Sequence, residues 1–289
     1  MGHQMSSTGD VPDLSGLSDA QLFVSYAARA GSGSLVFSLG TNLPIGKVEL
    51  SEAEFATAIL VSQRAYNFRV PSLGQGPGFS PSVTVAFPMG TNTALGAGLA
   101  YQFRGEYKPF DFQESNYNPG NEFLLTAGIN TRLNAQSGIS FDVAHSIYAS
   151  DTFSGTTVYE AGSKTTVTAM YRYVVRFDEL KLLAAYRTRA KNNSLVGGEL
   201  ITEDVRSIPN QVNFQATYKK RINPGVQVTA LVEARLFNES SIVQKRTMID
   251  IGVMPSMKIS SQASVIGRFI YTLGTITGFE AGVGVAMSI

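Results

Sequence analysis

Few residues in this sequence have the types and spacing that chemistry needs. His145 and Ser146 stand side by side, an imidazole next to a hydroxyl, as a base and a nucleophile would have to be. On a strand, however, neighbours point to opposite faces, so this pair cannot act together. A triad would need a Ser and an orienting Asn or Asp from other strands. The expectation is that the protein is not an enzyme and that His145 is a structural side chain. With two His and no Cys, thiolate zinc sites and CxxC redox sites are excluded, and no metal or cofactor is expected. The spacings Gly96/Gly98 and Gly282/Gly284 look like fragments of nucleotide loops. They alternate inside apolar runs with no helix after them, so they read as positions that leave space. The basic residues remain, and their use depends on which way they face.

The elements that position them come from composition and periodicity. The chain has 289 residues, 44% hydrophobic and only 16% charged, with Lys+Arg 23 against Asp+Glu 22. The charged share falls below the roughly 25% of an ordinary soluble domain. The apolar content excludes disorder, and the even charge balance without a basic run argues against a nucleic-acid partner. Membrane helices need about 18 consecutive apolar residues, and runs such as Ala56 to Val61 are much shorter. Met1 to Gly16 has no basic stretch followed by an apolar run, the mark of a secretory signal.

From about residue 81 onward one device repeats: a stretch of apolar/polar alternation, then a turn. Val226, Val228, Ala230, Val232, Ala234 and Leu236 share one face, against Gln227, Thr229, Leu231, Glu233 and Arg235. Period two sorts residues this way only on a strand. About eleven such strands are predicted, near 82–89, 95–106, 120–133, 137–149, 163–176, 179–190, 211–221, 226–236, 243–254, 258–271 and 277–289. Tight links at Gly90–Asn92, Asn134–Gly138, Phe177–Asp178, Asn223–Gly225 and Pro255–Met257 alternate with longer segments near 108–120, 150–162 and 191–207. That alternation describes an up-and-down meander.

The first 80 residues are less regular. Gln21–Arg29 and Ser34–Leu39 fit a hairpin across Gly31–Gly33, while Ser18 and Asp19 also fit a helix cap. Ser51 with Glu54 has the capping-box pattern. The expected fold class is therefore all-β: a transmembrane antiparallel up-and-down β-barrel of about 12 to 14 strands with a less regular N-terminal segment. Residues 1–53 would form that segment, as a plug or as the first strands, and 54–289 the barrel.

Two features favour a bilayer. Strands of ten or more residues match the roughly 9 to 11 of a tilted membrane strand, and no amphipathic helices are in view to cover their apolar faces. Tyr101, Phe103, Tyr107, Phe123, Tyr171, Tyr173, Tyr186, Tyr218, Phe269, Tyr271 and Phe279 share the outward parity, many of them near strand ends. The inward parity carries Arg104, Arg132, Lys164, Arg172, Arg176, Lys181, Arg187, Arg189, Lys219, Arg221, Arg235, Arg246 and Arg268. Against these stand Glu106, Glu122, Asp142, Glu179, Glu233, Asp250 and Glu280. A net basic lumen follows, which concentrates anions. The bland alternative is that Arg and Glu pair across strands and fill the interior.

The pattern over residues 81–289, with the final strand Phe279–Ile289, resembles the bacterial outer-membrane β-barrel class of the porin-like kind. The resemblance implies a bacterial outer-membrane location, a lipid bilayer and small solutes or ions as partners, and passive diffusion. The expected pore lining is Arg104, Glu106, Arg132, Lys164, Arg172, Lys181, Arg187, Arg189, Lys219, Arg235, Arg246 and Arg268, and the pore is expected to prefer anions. Alternatives are a plugged barrel carrying a specific or hydrophobic cargo, a mitochondrial-type porin and an outer-membrane lipid hydrolase.

Overall fold

The computed structural model describes residues 2–4, 14–17, 19–54, 74–112, 114–241, 244–275 and 277–287. Its strands in chain order are β1 (Gly2–Gln4), β2 (Leu14–Gly16), β3 (Ala20–Ala30), β4 (Gly33–Leu43), β5 (Gly78–Met89), β6 (Thr93–Arg104) and β7 (Tyr117–Asn118). There follow β8 (Glu122–Arg132), β9 (Ser137–Tyr148), β10 (Ser150–Phe153), β11 (Thr156–Glu160), β12 (Lys164–Val175), β13 (Asp178–Arg189) and β14 (Asn193–Val196). The last are β15 (Glu199–Thr202), β16 (Gln211–Asn223), β17 (Val226–Phe237), β18 (Arg246–Lys258), β19 (Ala263–Gly274) and β20 (Gly278–Met287).

Thirteen strands form one antiparallel sheet in the order β20-β19-β18-β17-β16-β13-β12-β9-β8-β6-β5-β4-β3. Each long strand pairs with its neighbours in sequence, as a meander requires. The hairpin reading of the N-terminal region holds: β3 and β4 pair from Ala20↔Leu43 to Ala30↔Gly33, and Gly31 makes the turn at φ 62. The sheet therefore begins before residue 54, with two wall strands inside the segment 1–53. Ser51 and Glu54 exchange the reciprocal bonds of a capping box (Ser51 N–H to Glu54 Oε2 3.1 Å, Glu54 N–H to Ser51 Oγ 3.3 Å). The helical turn at 52–54 is described, and the rest of the Ala56–Arg64 reading lies outside the described residues.

Short and long connections alternate except at the last reversal, 275–277, which is only three residues long. One end of the sheet has the turns at 31–32, 90–92, 133–136, 176–177, 224–225 and 259–262; the other has 44–77, 105–121, 149–163, 190–210, 238–245 and 275–277. Side chains close the tight turns. Asn134 Oδ1 accepts from the Gln136 and Ser137 amides, and Asn223 Oδ1 from Gly225 and Val226.

One predicted turn is wrong. Pro255–Met257 lies inside β18, and the chain reverses at 259–262, where Ser260 Oγ accepts from the Gln262 and Ala263 amides. Proline in a strand interior normally ends it, because it has no N–H for the ladder. Here the β18–β19 ladder passes over Met254 and Pro255, while Val228↔Pro255 persists on the β17 side. Gly267 makes room for the ring, since a Cβ there would stand 3.1 Å from Pro255 Cγ.

The long connections also hold structure that the alternation did not reveal. β7, β10, β11, β14 and β15 form a second sheet above the long-loop end. Strands of two to five residues are too short to show a period.

Candidate functional site

Pairing through the whole ladder sets which side chains share a face. Starting from Glu233, the register runs to Asp250 on β18 and to Gln215 on β16. It continues through Leu183 on β13, Met170 on β12, Ser140 on β9, Asn130 on β8 and Ala94 on β6. On this face lie Arg104, Arg132, Lys164, Arg172, Lys181, Arg187, Arg189, Lys219, Arg235, Arg246 and Arg268 of the expected lining. Glu106 is not among them. Strand β6 ends at Arg104, and Glu106 sits exposed in the connection beyond it, where the ladder no longer sets its direction. Tyr107 is likewise off the wall, bridged to Tyr117 with ring centroids 5.7 Å apart. Arg176 stands in a tight turn at φ 55.

Over most of the sheet the charged face is the more covered one, while the inner faces of the edge strands β3 and β20 are exposed. Glu233 is 5% exposed, Asp250 7% and Glu179 6%, while Phe214, Val232 and Ile251 on the opposite face are 51%, 49% and 49% exposed. Among the described residues no second layer covers the charged face, so the sheet covers it by curling round it as a barrel wall. Apart from the tyrosines, the titratable side chains of the opposite face are His145 and, next to tight turns, Asp178 and Lys220. A soluble sheet sorts its residues the other way.

Aromatic residues ring the apolar face near both ends. Phe79 and Phe103 stack at 4.2 Å, and Tyr101 lies 6.4 Å from Phe123, all toward the long loops. Tyr173 and Tyr218 lie toward the tight turns, with the Tyr218 hydroxyl donating to Asp178 Oδ2 at 2.9 Å. His145 faces outward with Nδ1 2.9 Å from Thr165 Oγ1, and Ser146 is buried on the inner face. The two diverge, as neighbours on a strand must.

Register and direction together sort the inner charges by depth. Arg104, Lys164, Arg187, Arg189 and Arg246 lie toward the long loops with Glu122. Asp142, Glu233, Asp250 and Glu280 lie deeper with Arg235 and Arg268. Arg29, Arg132, Arg172, Lys181, Lys219, Arg221 and Lys258 lie toward the tight turns with Glu179. Both ends are therefore basic and the middle is acidic.

Local pairing differs between the layers. Glu179 is bound by Arg172 at 2.7 Å, Lys181 at 3.1 Å and Lys219 at 2.6 Å, so one carboxylate gathers three cations. In the middle, Arg235 Nη2 meets Asp250 Oδ2 at 2.6 Å, Thr272 donates to Asp250 at 2.7 Å, and Asn213 donates to Glu233 at 2.9 Å. Toward the long loops Glu122 takes Arg104 at 2.9 Å and Lys164 at 3.7 Å, while Arg189 and Lys164 lie over the Tyr148 ring at 4.9 and 5.8 Å. The sequence pointed to these cations individually. It missed Arg29, Lys258 and Tyr148 as inner-face residues, although the parity of their strands carries that signal.

Among the described residues no group of His, Cys, Asp or Glu is placed to hold a metal ion, and no helix is long and apolar enough to cross a membrane. No protein-family model and no curated protein matches the chain. Among solved structures it is similar to the translocator domain of autotransporter NalP from Neisseria meningitidis, with 12% identity over 95% of this chain and 88% of that one and a TM-score of 0.39. Similarity at that level says nothing about this chain's activity.

Proposed function

We propose that the protein is an outer-membrane β-barrel that passes small solutes, anions preferentially, by diffusion through its interior. The observation that carries this reading is the inverted sorting of the wall, with charge on the covered face and apolar side chains on the exposed one. Hydrocarbon demands this of a membrane strand, and a sheet satisfies its backbone there only when its strands are paired. The cation-rich inner rims then act as a selectivity element. A wall lined by one sign of charge raises the local concentration of the opposite ion and lowers its barrier. No cofactor and no covalent chemistry belong to this function. Long loops face outward from the cell and tight turns inward, by the usual asymmetry of the class.

The test is single-channel conductance of the folded protein in a planar bilayer, with the reversal potential under a salt gradient. Discrete steps and an anion-directed reversal potential are expected. Arg187→Glu combined with Arg189→Glu should move that potential toward cation preference. An unchanged potential in the double variant sinks the selectivity assignment.

A second reading is a barrel obstructed from the long-loop side, for a specific or hydrophobic cargo. What favours it is the 44–77 connection, whose described parts are tied at that end: Lys47 pairs with Glu54, the Leu50 amide donates to Pro109 O at 3.1 Å, and the Gly74 amide to Lys47 O at 2.7 Å. Replacing residues 55–73 by a short Gly/Ser linker should raise conductance if that segment obstructs the lumen, and leave it unchanged if it does not.

A further inference from the structure

The two basic rims are built differently. At the tight-turn rim Arg172 and Lys181 are directly opposed across β12 and β13, a like-charge pair that costs stability unless neutralised. Glu179 bridges it, binding both cations and Lys219 and offsetting part of their repulsion. At the long-loop rim Lys164 and Arg189 are opposed in the same way. Here no single carboxylate binds both. Glu122 is 2.9 Å from Arg104 and reaches Lys164 only at 3.7 Å. Arg189 Nε donates to the Gly162 carbonyl at 3.0 Å, and both cations lean on the face of Tyr148, which stands opposite Glu122 in the β8–β9 ladder. Aromatic faces hold cations without neutralising them. The Gly162 bond fixes the Arg189 fork at Nε, and the terminal nitrogens of a guanidinium suit the paired oxygens of a carboxylate or phosphate.

From this geometry we infer that Lys164 and Arg189, on the Tyr148 platform, form a binding site for a small oxyanion, a carboxylate or phosphate, at the long-loop mouth of the barrel. The inference rests on reading the interior as an anion path. It makes this rim the capture point for a solute, whereas at the other rim Glu179 already occupies the place between the opposed cations. A bound oxyanion would supply the negative charge that Glu179 supplies at the other end.

Isothermal titration of the detergent-folded full chain with inorganic phosphate, at constant ionic strength, tests the site whether or not the barrel conducts. Saturable binding is expected. Lys164→Gln with Arg189→Gln should weaken it about tenfold or more, as loss of charge-assisted hydrogen bonds does. Arg29→Gln with Lys258→Gln, which removes the same charge at the other rim, should leave it unchanged. Absence of binding to the unaltered chain, or equal loss in both double variants, overturns the site. If the first double variant does not fold, Arg189→Lys serves instead, because it keeps the charge and loses the fork; unweakened binding there also overturns it. Titration with phosphatidylglycerol micelles separates a lipid headgroup from a free anion. Binding of the headgroup but not of phosphate places the contact outside the lumen and overturns the proposal. Phosphate binding in a barrel that carries no current leaves this site standing and removes the diffusion reading instead.

Discussion

At the scale of single residues, Glu179 has the most to lose. Its carboxylate is almost fully covered and is bound by Arg172, Lys181 and Lys219. Losing it leaves three cations that water still reaches, so the cost is on the order of 1 kcal/mol and not the several of a fully buried pair. Glu179→Gln keeps the shape and removes the charge. It should lower the temperature at which the folded barrel loses its compact mobility on a detergent gel, and the freed cations should strengthen anion preference. An unchanged transition temperature would show that the cluster is solvated enough to do without its anion. The pair Arg235 and Asp250 behaves differently, because Asp250 also accepts from Thr272 at 2.7 Å and so keeps a partner if the arginine is lost.

At the scale of elements, the long connections are ordered by carboxylates that accept several hydrogen bonds. The 190–210 connection is held by Glu203, which accepts from the Asn192 amide at 2.9 Å, the Asn192 side chain at 3.1 Å and the Ser207 amide at 3.0 Å. Burial pushes this carboxyl upward, but the bonds from Asn192 and Ser207 outweigh it and hold its pKa below the ordinary value. A depressed folded pKa means that the contribution is complete above the unfolded value, about 4.3, and is lost as pH falls through the folded one. Acidification below about pH 4 should therefore lower the protection of the 190–210 amides, taken relative to their intrinsic exchange rate at each pH. In Glu203→Gln that protection should already be low at neutral pH and should change little with pH. Protection factors in the unaltered chain that stay flat across that range would count against the assignment. Elements also explain where sequence reading succeeded. The long strands were legible because Val226 to Leu236 and its counterparts keep period two over many residues. The Pro255 turn was misplaced because a gap in the β18–β19 ladder beside Gly267 lets a proline stay in a strand. Sequence cannot display a gap of that kind.

At the scale of the whole molecule, thirteen strands make the first and last run the same way. β3 and β20 both start at the long-loop end, and among the described residues they share no ladder. Their backbone edges must find partners in hydrocarbon. The shapes are complementary: Phe23, 72% exposed, lies on the inner face of β3, and a Cβ at Gly282 or Gly284 on the inner face of β20 would meet nothing within 4 Å. Direct closure would be parallel, with that ring filling the space over the glycines. The chain has no Cys, so Ser25→Cys paired with Gly282→Cys or Gly284→Cys gives a clean test. Oxidation in lipid should give an intramolecular disulfide. A strand inserted between the edges would separate them by about 9–10 Å, beyond disulfide reach, and no product would then form.

By itself the sequence determined the all-β up-and-down fold and the facing of its side chains. Alternation along each strand is local, and a strand has only two faces, so Arg187, Arg235 and Phe214 could be assigned to a side without knowing any neighbour. Glu106 is the exception among the expected lining, because its side depended on where β6 stops. Tertiary structure alone decided depth and partnership. Whether a cation meets a carboxylate, as Lys219 meets Glu179, or an aromatic face, as Arg189 meets Tyr148, depends on the stagger between strands distant in sequence. That stagger is set by turn lengths and by the ladder as a whole, which period two cannot encode.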